Sequence, residues 1–273
     1  MKKSILAILL LGLFCVNFAF AAKKNNTTFI VEGSTTVLPL AQKTAEVFMD
    51  NDPYADISVR GGGSGVGINS LLSGRCDIAT SSRSIRDSEL AKGTERNISP
   101  KAYLVAMDAI ALIVNSSNNA ASLTKQQVKD IYTGKITNWE EVGGGDEKIV
   151  VVSRDSASGT FESFNELALG GQKVTKDALM QASNQGVAGI VATTEGAIGY
   201  VGLGYISGKV KAVSVDGVKP SVDTVLSKKY AYSRPLFMYA NGNISGKAKE
   251  YLDFVTGKGG QKIAADLGYV PLQ

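Results

Sequence analysis

Three segments of the sequence have the same arrangement: a strand-like apolar run, then a short polar loop, then a helical pattern. In the clearest of them, the apolar run 149–152 leads through the loop 153–160 to a helix predicted over residues 161–169. The first N–H groups of a helix lack partners within it, and the helix dipole places partial positive charge beside them. A loop at such a junction either simply caps its helix or binds an anion.

The side chains of the loop 153–160 suit an oxyanion. Ser158 and Thr160 supply hydroxyl groups, and Gly159 lets the backbone approach a ligand closely. Arg154 adds a planar guanidinium whose paired N–H groups match phosphate-like oxygens. An ordinary capped helix beside a surface arginine is the alternative interpretation, and this loop alone does not decide between the two.

The first junction of this kind lies near the amino end of the chain, between a strand predicted over 28–31 and a helix predicted over 37–48. Ser34, Thr35 or Thr36 is expected to be the N-cap of that helix, because hydroxyl side chains accept hydrogen bonds from its first N–H groups. Hydroxyls beside free N–H groups also suit an oxyanion.

The second junction is the glycine-rich loop 61–67, between a strand predicted over 56–60 and a short helix that includes residues 68–72. Its glycines let backbone N–H groups converge, and Ser64 adds a hydroxyl. The loop matches neither the P-loop nor the G-x-G-x-x-G pattern, so it gives little support for a nucleotide. Ligands of open α/β sheets bind at the carboxyl ends of strands, so we expect all three junctions to face one anion.

Strand-like and helical patterns alternate along the rest of the chain, which predicts an α/β protein with largely parallel sheets. The apolar run 103–114 is too long for an ordinary strand, so it is interpreted as one strand leaving a first lobe and another strand entering a second, and the run 234–240 as leading back. The predicted lobes are therefore 22–106 with 235–273, and 107–234. Further strands are predicted over 77–80, 196–201 and 210–215, and further helices over 125–132, 247–255 and 260–267.

The amino terminus has the pattern of a secretory signal peptide over residues 1–21. A basic start precedes the apolar run 5–20, and an A-x-A cleavage pattern ends at Ala21. A lipoprotein signal would need a small residue before Cys15, and Phe14 stands there. We therefore expect cleavage after Ala21 and soluble export, to a periplasm; no later apolar run is long enough to span a bilayer.

Composition excludes several classes of function. The chain has no histidine, so neither Ser-His-Asp catalysis nor a histidine metal site is available, and we expect no enzyme, metal or cofactor. Its formal net charge of +4 becomes +2 once Lys2 and Lys3 leave with the signal peptide, which is too weak to indicate nucleic acid. Cys76 would then be the remaining cysteine, so no internal disulfide is expected, and we interpret it as a small buried residue.

The three junctions and two further motifs resemble the phosphate-binding proteins of bacterial ABC phosphate transporters, over nearly the whole exported chain. The motifs are Gly33–Thr36, Gly62–Gly65, Ile136–Gly143 around Trp139, Arg154 with Ser158–Thr160, and Ser233–Leu236. The resemblance implies a two-lobed periplasmic binding-protein fold of type II, with the ligand cleft between the lobes. It also implies a monomer that closes on phosphate and delivers it to a membrane permease.

By position, the resemblance implies that ligand contacts come from both lobes. They are Ser34, Thr35, Thr36, Ser64, Arg154, Ser158, Gly159 and Thr160, with Asp155 in a position to orient the guanidinium.

One position departs from the pattern of the family. Some members have an aspartate that accepts the proton of hydrogen phosphate, and its place here falls on Ser82, followed by Arg83. We include both as candidate ligand contacts, although Arg83 is equally compatible with the surface. A carboxylate in the site rejects fully ionised sulfate, because sulfate has no proton to share. With Ser82 in its place this rejection is missing, so the choice between phosphate and sulfate stays open.

Other functions remain compatible with the sequence. Binding of sulfate, molybdate or tungstate is the nearest alternative. A secreted phosphoester hydrolase is supported only by the serine-rich loops and is opposed by the missing histidines and the lack of a carboxylate cluster for two metals. A sensing or adhesion role on the same scaffold is not distinguished from uptake.

Overall fold

Strands and helices alternate along most of the polypeptide, in agreement with the predicted α/β class. The computed structural model describes residues 27–242 and 244–272, without the side chain of Thr27, so the predicted signal peptide lies outside the described residues. The strands are β1 (Thr27–Gly33), β2 (Ala55–Arg60), β3 (Ile78–Ser81), β4 (Pro100–Asn115), β5 (Ser122–Leu123), β6 (Val150–Arg154), β7 (Leu179–Gln181), β8 (Ala197–Gly202), β9 (Val210–Val215) and β10 (Ser233–Asn241). The helices are α1 (Leu38–Asn51), α2 (Ser64–Leu71), α3 (Asp87–Glu95), α4 (Lys125–Thr133), α5 (Gly159–Phe164), α6 (Asn184–Thr193), α7 (Val222–Leu226), α8 (Gly246–Thr256) and α9 (Lys258–Asp266).

The strands form one continuous path in the order β2-β1-β3-β10-β4-β8-β6-β7, with β9 pairing with β4 and β5. Strand β1 pairs in parallel with β2 and β3, and β6 pairs in parallel with β7 and β8. The prediction of largely parallel sheets is wrong for the middle of the path, where β10 is antiparallel to β3 and β4, and β4 is antiparallel to β8 and β9. Strand-helix-strand units give the parallel pairs, whereas β4 and β10 run between the two halves in opposite directions.

The interpretation of the run 103–114 as two strands is wrong: it lies within the single strand β4, which contributes to two hydrophobic cores. Its residues up to Ala109 pair with β10, and its residues from Ile110 onward pair with β8 and β9. Val105 and Ala106 belong to a core with α1 and α8, while residues 109–112 and 114 belong to a second core with α4 and β8. We call these parts the first half (β1 to β3, with α1 to α3) and the second half (β5 to β9). The predicted lobe boundaries remain a prediction.

Helices α3, α6 and α7 were not predicted, and the sequences of α3 and α6 explain why they were missed. Helix α6 contains two glycines and several β-branched residues, which are weak helix formers. Its buried residues Val187 and Val191 nevertheless keep the spacing of one helix face. Helix α3 is largely polar and buries Glu89 and Gly93, so it lacks an apolar stripe.

The helix that follows β6 differs slightly from the prediction. The helix predicted over 161–169 begins two residues earlier, as α5, and continues as a π-helical turn over Asn165–Leu169.

Cys76 is buried as predicted, and burial raises the pKa of its thiol to about 12. Within the described part of the chain, no helix combines the length and apolar character needed to cross a membrane.

Candidate anion-binding site

The beginnings of α1, α2 and α5 meet where the two halves of the molecule touch. Thr36 Oγ1, before α1, lies 2.8 Å from Thr160 Oγ1 in α5. The Gly65 N–H in α2 donates to the Ala157 carbonyl before α5, at 3.0 Å. The predicted convergence of the three junctions is therefore confirmed, and it brings together hydroxyl and N–H groups from both halves.

Ser34 shapes the first junction. Its Oγ accepts hydrogen bonds from the N–H groups of Thr36 and Val37, at 3.2 and 3.4 Å. The Ser34 carbonyl also accepts from the Leu38 N–H at 3.0 Å, so Ser34 caps the first turn, as expected for one of residues 34 to 36. The regular helix α1 follows Val37. Thr35 and Thr36 are buried in that turn.

Two tyrosine hydroxyls donate hydrogen bonds to the backbone of the first junction. The hydroxyl of Tyr205 donates to the Thr35 carbonyl at 2.6 Å, and that of Tyr269 donates to the Thr36 carbonyl at 2.7 Å. These bonds come from different parts of the chain, so they fix the two threonines relative to both halves.

The glycine loop brings α2 against the loop before α5. Gly63 is the N-cap of α2, with φ of 103°, and a Cβ there would lie 2.5 Å from the Ala157 carbonyl oxygen. Ser64 follows it and is buried, with its Oγ accepting from the Ser82 N–H at 3.0 Å. Residue 63 must therefore be glycine, because its φ is positive and because the Ala157 carbonyl lies too close for a side chain.

Ser158 is the N-cap of α5, and its Oγ accepts from the Phe161 N–H at 3.2 Å. The next residue, Gly159, lies directly against the first half. A Cβ on Gly159 would lie 2.3 Å from Ser64 Oγ and 2.9 Å from Ser82 Oγ. The serine hydroxyls therefore approach the backbone at the start of α5 because residue 159 has no side chain.

Arg154 lies at the end of β6 and is fully buried. Its Nε and Nη2 donate to the carbonyls of Gln181 and Ala182, each at 3.0 Å. Within residues 27–242 and 244–272, no carboxylate forms an ion pair with it, and its Nη1 has no hydrogen-bond partner. Burial lowers the pKa of the guanidinium, and the positive charge of Arg234 acts in the same direction. An anion beside Nη1 would offset both effects.

Asp155 does not take the expected role beside this guanidinium. Its Oδ1 accepts a hydrogen bond from the Ala157 N–H at 3.1 Å, so it shapes the loop before α5. The two backbone carbonyls orient Arg154 instead, because β7 and the turn after it lie next to the end of β6.

Ser82 and Arg83, the two candidate residues at the departure from the family pattern, have different surroundings. Ser82 is buried in the hydroxyl cluster, with its Oγ 3.3 Å from that of Ser64. Arg83 is paired with two carboxylates, at 2.8 Å from Glu89 and 2.7 Å from Glu162. The structure therefore brings Ser82 to the other candidate residues and uses the charge of Arg83 elsewhere.

Sequence reasoning missed three polar residues of this cluster. Asn184, the first residue of α6, donates through Nδ2 to Thr35 Oγ1 at 3.0 Å and to Thr36 Oγ1 at 3.1 Å. Arg234 donates through Nη2 to Thr36 Oγ1 at 3.2 Å and to Asp108 Oδ2 at 3.0 Å.

Each of the three carries a signal in the sequence. Ser183 caps α6 just before Asn184, and Asp108 is the one carboxylate in the apolar run 103–114, where an ionised group needs a partner. Arg234 belongs to the motif Ser233–Leu236 but was not assigned to the site.

Asp108 and Arg234 form a buried ion pair. Burial raises the pKa of the Asp108 carboxyl, against the opposing effects of Arg234 and the Leu203 N–H, and burial lowers the pKa of Arg234. Because Asp108 offsets the charge of Arg234, Arg154 is the buried guanidinium of the described cluster that lacks a counter-ion.

The donor set fits a small oxyanion better than a metal ion. Hydroxyls, backbone N–H groups, an amide and a guanidinium converge here, and these groups donate hydrogen bonds. In the described residues, no group of three or more Cys, Asp or Glu side chains is arranged to hold a metal ion.

Comparison with known proteins agrees with this geometry. Residues 20–258 match the family described as PBP superfamily domain. The phosphate-binding protein PstS of Bacillus subtilis is 36% identical over 255 residues, which cover 92% of this chain and 82% of that protein. PstS of Borreliella burgdorferi is 29% identical, over the full length of both chains.

A solved structure with a similar fold contains bound phosphate. It is a phosphate ABC transporter substrate-binding protein from Clostridium perfringens with bound phosphate, which superposes with a TM-score of 0.85 at 35% identity and covers 90% of this chain and 100% of that one. An ABC-type phosphate transport receptor from Vibrio cholerae has a TM-score of 0.73 at 32% identity, covering 89% and 100%. The chain thus has the two-lobed type II periplasmic binding-protein fold, and it belongs to the PBP superfamily and, within it, to the PstS family of phosphate-binding proteins.

Proposed function

We propose that this protein captures inorganic phosphate outside the cytoplasm and delivers it to the permease of an ABC transporter. The observation that carries the proposal is Arg154, a fully buried guanidinium with an unpartnered Nη1 beside the converging helix beginnings. Leaving a buried charge without a partner is costly, so the site gains most from an anion. The similarity to the phosphate-binding proteins from Bacillus and Clostridium supports phosphate as that anion.

The proposed ligand contacts come from both halves. They are the hydroxyl groups of Thr35, Thr36, Ser64, Ser82, Ser158 and Thr160 and the N–H of Gly159, together with Arg154 Nη1. Ser34 acts through the turn that it caps, and Arg83 is not included because Glu89 and Glu162 hold its guanidinium.

The number of donors is sufficient for useful affinity. Hydrogen bonds to a charged group contribute about 1.5–3 kcal/mol each. Micromolar binding requires roughly 8 kcal/mol net. Six to ten such bonds exceed that value before the costs of desolvation and closure are subtracted, so the protein needs no strongly basic surface.

We further propose that the protein works as a monomer in the periplasm, after cleavage of residues 1–21. A closed, phosphate-bound state would be the form that the permease recognises. The signal pattern over 1–21 and the periplasmic type of the family support this part of the proposal.

Isothermal titration of the exported chain with phosphate and with sulfate tests the function. We expect saturable heat with phosphate at a stoichiometry near one per chain. Heat with sulfate, molybdate or tungstate but none with phosphate would assign another oxyanion, and no heat with any of them would reject the proposal.

Ser82 gives a prediction about selectivity. Ser82 presents a hydroxyl to the cluster, and the Asp108 carboxylate is held by Arg234. A hydroxyl both donates and accepts, so it tolerates sulfate as well as hydrogen phosphate. We expect Ser82→Asp to weaken sulfate binding at least about tenfold more than phosphate binding, because a carboxylate repels an anion that has no proton to share.

Competition titration with the two anions measures this ratio. Ser84→Asp is the matched control, since Ser84 is exposed two residues further on and should leave the ratio unchanged. An equal loss of both anions in Ser82→Asp would show that residue 82 does not discriminate between them.

A further inference from the structure

Two arginines and two glutamates form a connected ion-pair cluster across the contact between the halves. Arg83, Arg86 and Glu89 belong to the segment from β3 to α3 in the first half, and Glu162 belongs to α5 in the second. Arg83 Nη2 lies 2.8 Å from Glu89 Oε1, and Arg83 Nε lies 2.7 Å from Glu162 Oε2. Arg86 Nε donates to the same Glu162 oxygen at 3.1 Å. We call these four residues the charge clasp.

One side of the charge clasp is built within the first half alone. Arg83 donates through Nη1 and Nη2 to the two oxygens of Glu89, each at 2.8 Å, and the Arg86 N–H donates to Glu89 Oε2 at 2.9 Å. Burial disfavours the Glu89 carboxylate, but these hydrogen bonds outweigh it and lower its pKa. The forked pair holds the Arg83 guanidinium in a fixed orientation, and its Nε edge meets Glu162.

The other side of the charge clasp comes from the second half. Glu162 places one carboxylate oxygen against both guanidiniums, with a side chain that is 17% exposed. Its neighbour Ser163 donates from Oγ to the Ser82 carbonyl at 3.2 Å. These contacts need the same close approach of α5 to the first half that Gly159 permits. The Glu162 contacts therefore depend on the arrangement in which the two halves touch.

Three residues of the charge clasp also line a groove that extends to Arg234. The groove has a volume of about 450 Å³, and its lining includes Arg83, Arg86 and Glu162 together with Arg234. Arg234 is buried and contacts Thr36, so the groove extends from the exposed side of Arg86 toward the hydroxyl cluster. An anion that used this groove would pass the charge clasp.

We propose that Glu162 is a positioning residue that holds the two halves together over the bound anion and slows its release. The proposal rests on the proposed function, because the ligand is the phosphate assigned there. Glu162 touches neither of the hydroxyl groups that meet across the halves; it acts by stabilising the closed arrangement. Any interaction present only in the closed state raises the apparent affinity for a ligand that binds this state.

Release of radiolabelled phosphate into an excess of unlabelled phosphate tests the proposal directly. We expect Glu162→Gln to release phosphate roughly tenfold faster, with association changed much less, because loss of a desolvated charge pair acts mainly on dissociation. Arg86→Gln removes the more exposed partner and should give a smaller acceleration in the same direction. The thermal midpoint of each variant without phosphate should remain close to that of the wild type.

Glu166→Gln is the matched control. Glu166 lies in the turn after Glu162, lines the same groove and is exposed, and it forms no ion pair with any residue that the structure describes. Normal binding by the wild type together with equal release rates for Glu162→Gln and Glu166→Gln would overturn the role of Glu162 alone. A wild type that binds no phosphate would instead overturn the proposed function, and the role of Glu162 with it.

Discussion

Arg154→Ala is expected to weaken phosphate binding by roughly thirtyfold to a thousandfold. The change removes a buried charge that faces the proposed ligand, and truncation of one member of a desolvated ionic contact costs about 2–4 kcal/mol. Arg154→Lys should recover part of the loss, because it restores the charge but not the planar fork. Isothermal titration with phosphate measures both variants.

Arg60→Ala is the control for general electrostatics. Arg60 is an exposed arginine at the end of β2, directly before the glycine loop, and its removal lowers the net charge equally. Its effect on affinity should stay within about twofold, because exposed charges are screened by water and salt. Similar losses in Arg60→Ala and Arg154→Ala would mean that the anion responds to overall charge and that Nη1 is not a ligand.

Gly159→Ala is expected to reduce phosphate affinity by at least about a hundredfold while leaving the fold intact. The added methyl group would lie 2.3 Å from Ser64 Oγ and 2.8 Å from Ser64 Cβ, so α5 and α2 cannot approach as they do in the native contact. A misplacement of about 1 Å is enough for a loss of this order where several groups must act together. The φ of Gly159 lies outside the left-handed region, so alanine strains no backbone angle there.

Titration with phosphate and small-angle scattering together test this variant. Scattering should report a compact form for the wild type with phosphate and a more extended form for Gly159→Ala at the same concentration. Gly189→Ala in α6 is the control, because nothing lies within 4 Å of the added methyl group. Native affinity in Gly159→Ala would contradict the close contact at the start of α5.

The helix junctions could be predicted because their signals are local. Each joins an apolar run to hydroxyl and glycine residues within a few positions, and the chemistry of free helical N–H groups then indicates an anion. The long strand β4 was equally visible as an apolar run too long for one lobe. Convergence followed from one general property of α/β sheets, the position of ligands at carboxyl ends of strands.

The remaining features depend on contacts between distant parts of the chain. Asn184 meets Thr36 across 148 positions, and Arg234 meets Asp108 across 126, so neither pairing has a local pattern. The orientation of Arg83 toward Glu162 depends on how the two halves pack against each other. No local stretch of the sequence determines that packing. The antiparallel middle of the sheet was missed for the same reason, since β10 returns to β4 after more than a hundred residues.

A crystal structure of the exported protein with phosphate tests the central claim most directly. The account predicts one phosphate enclosed by the beginnings of α1, α2 and α5, with Arg154 Nη1 within hydrogen-bond distance of a phosphate oxygen. Phosphate bound at another place, or at this place with Arg154 Nη1 turned away from it, would contradict the account.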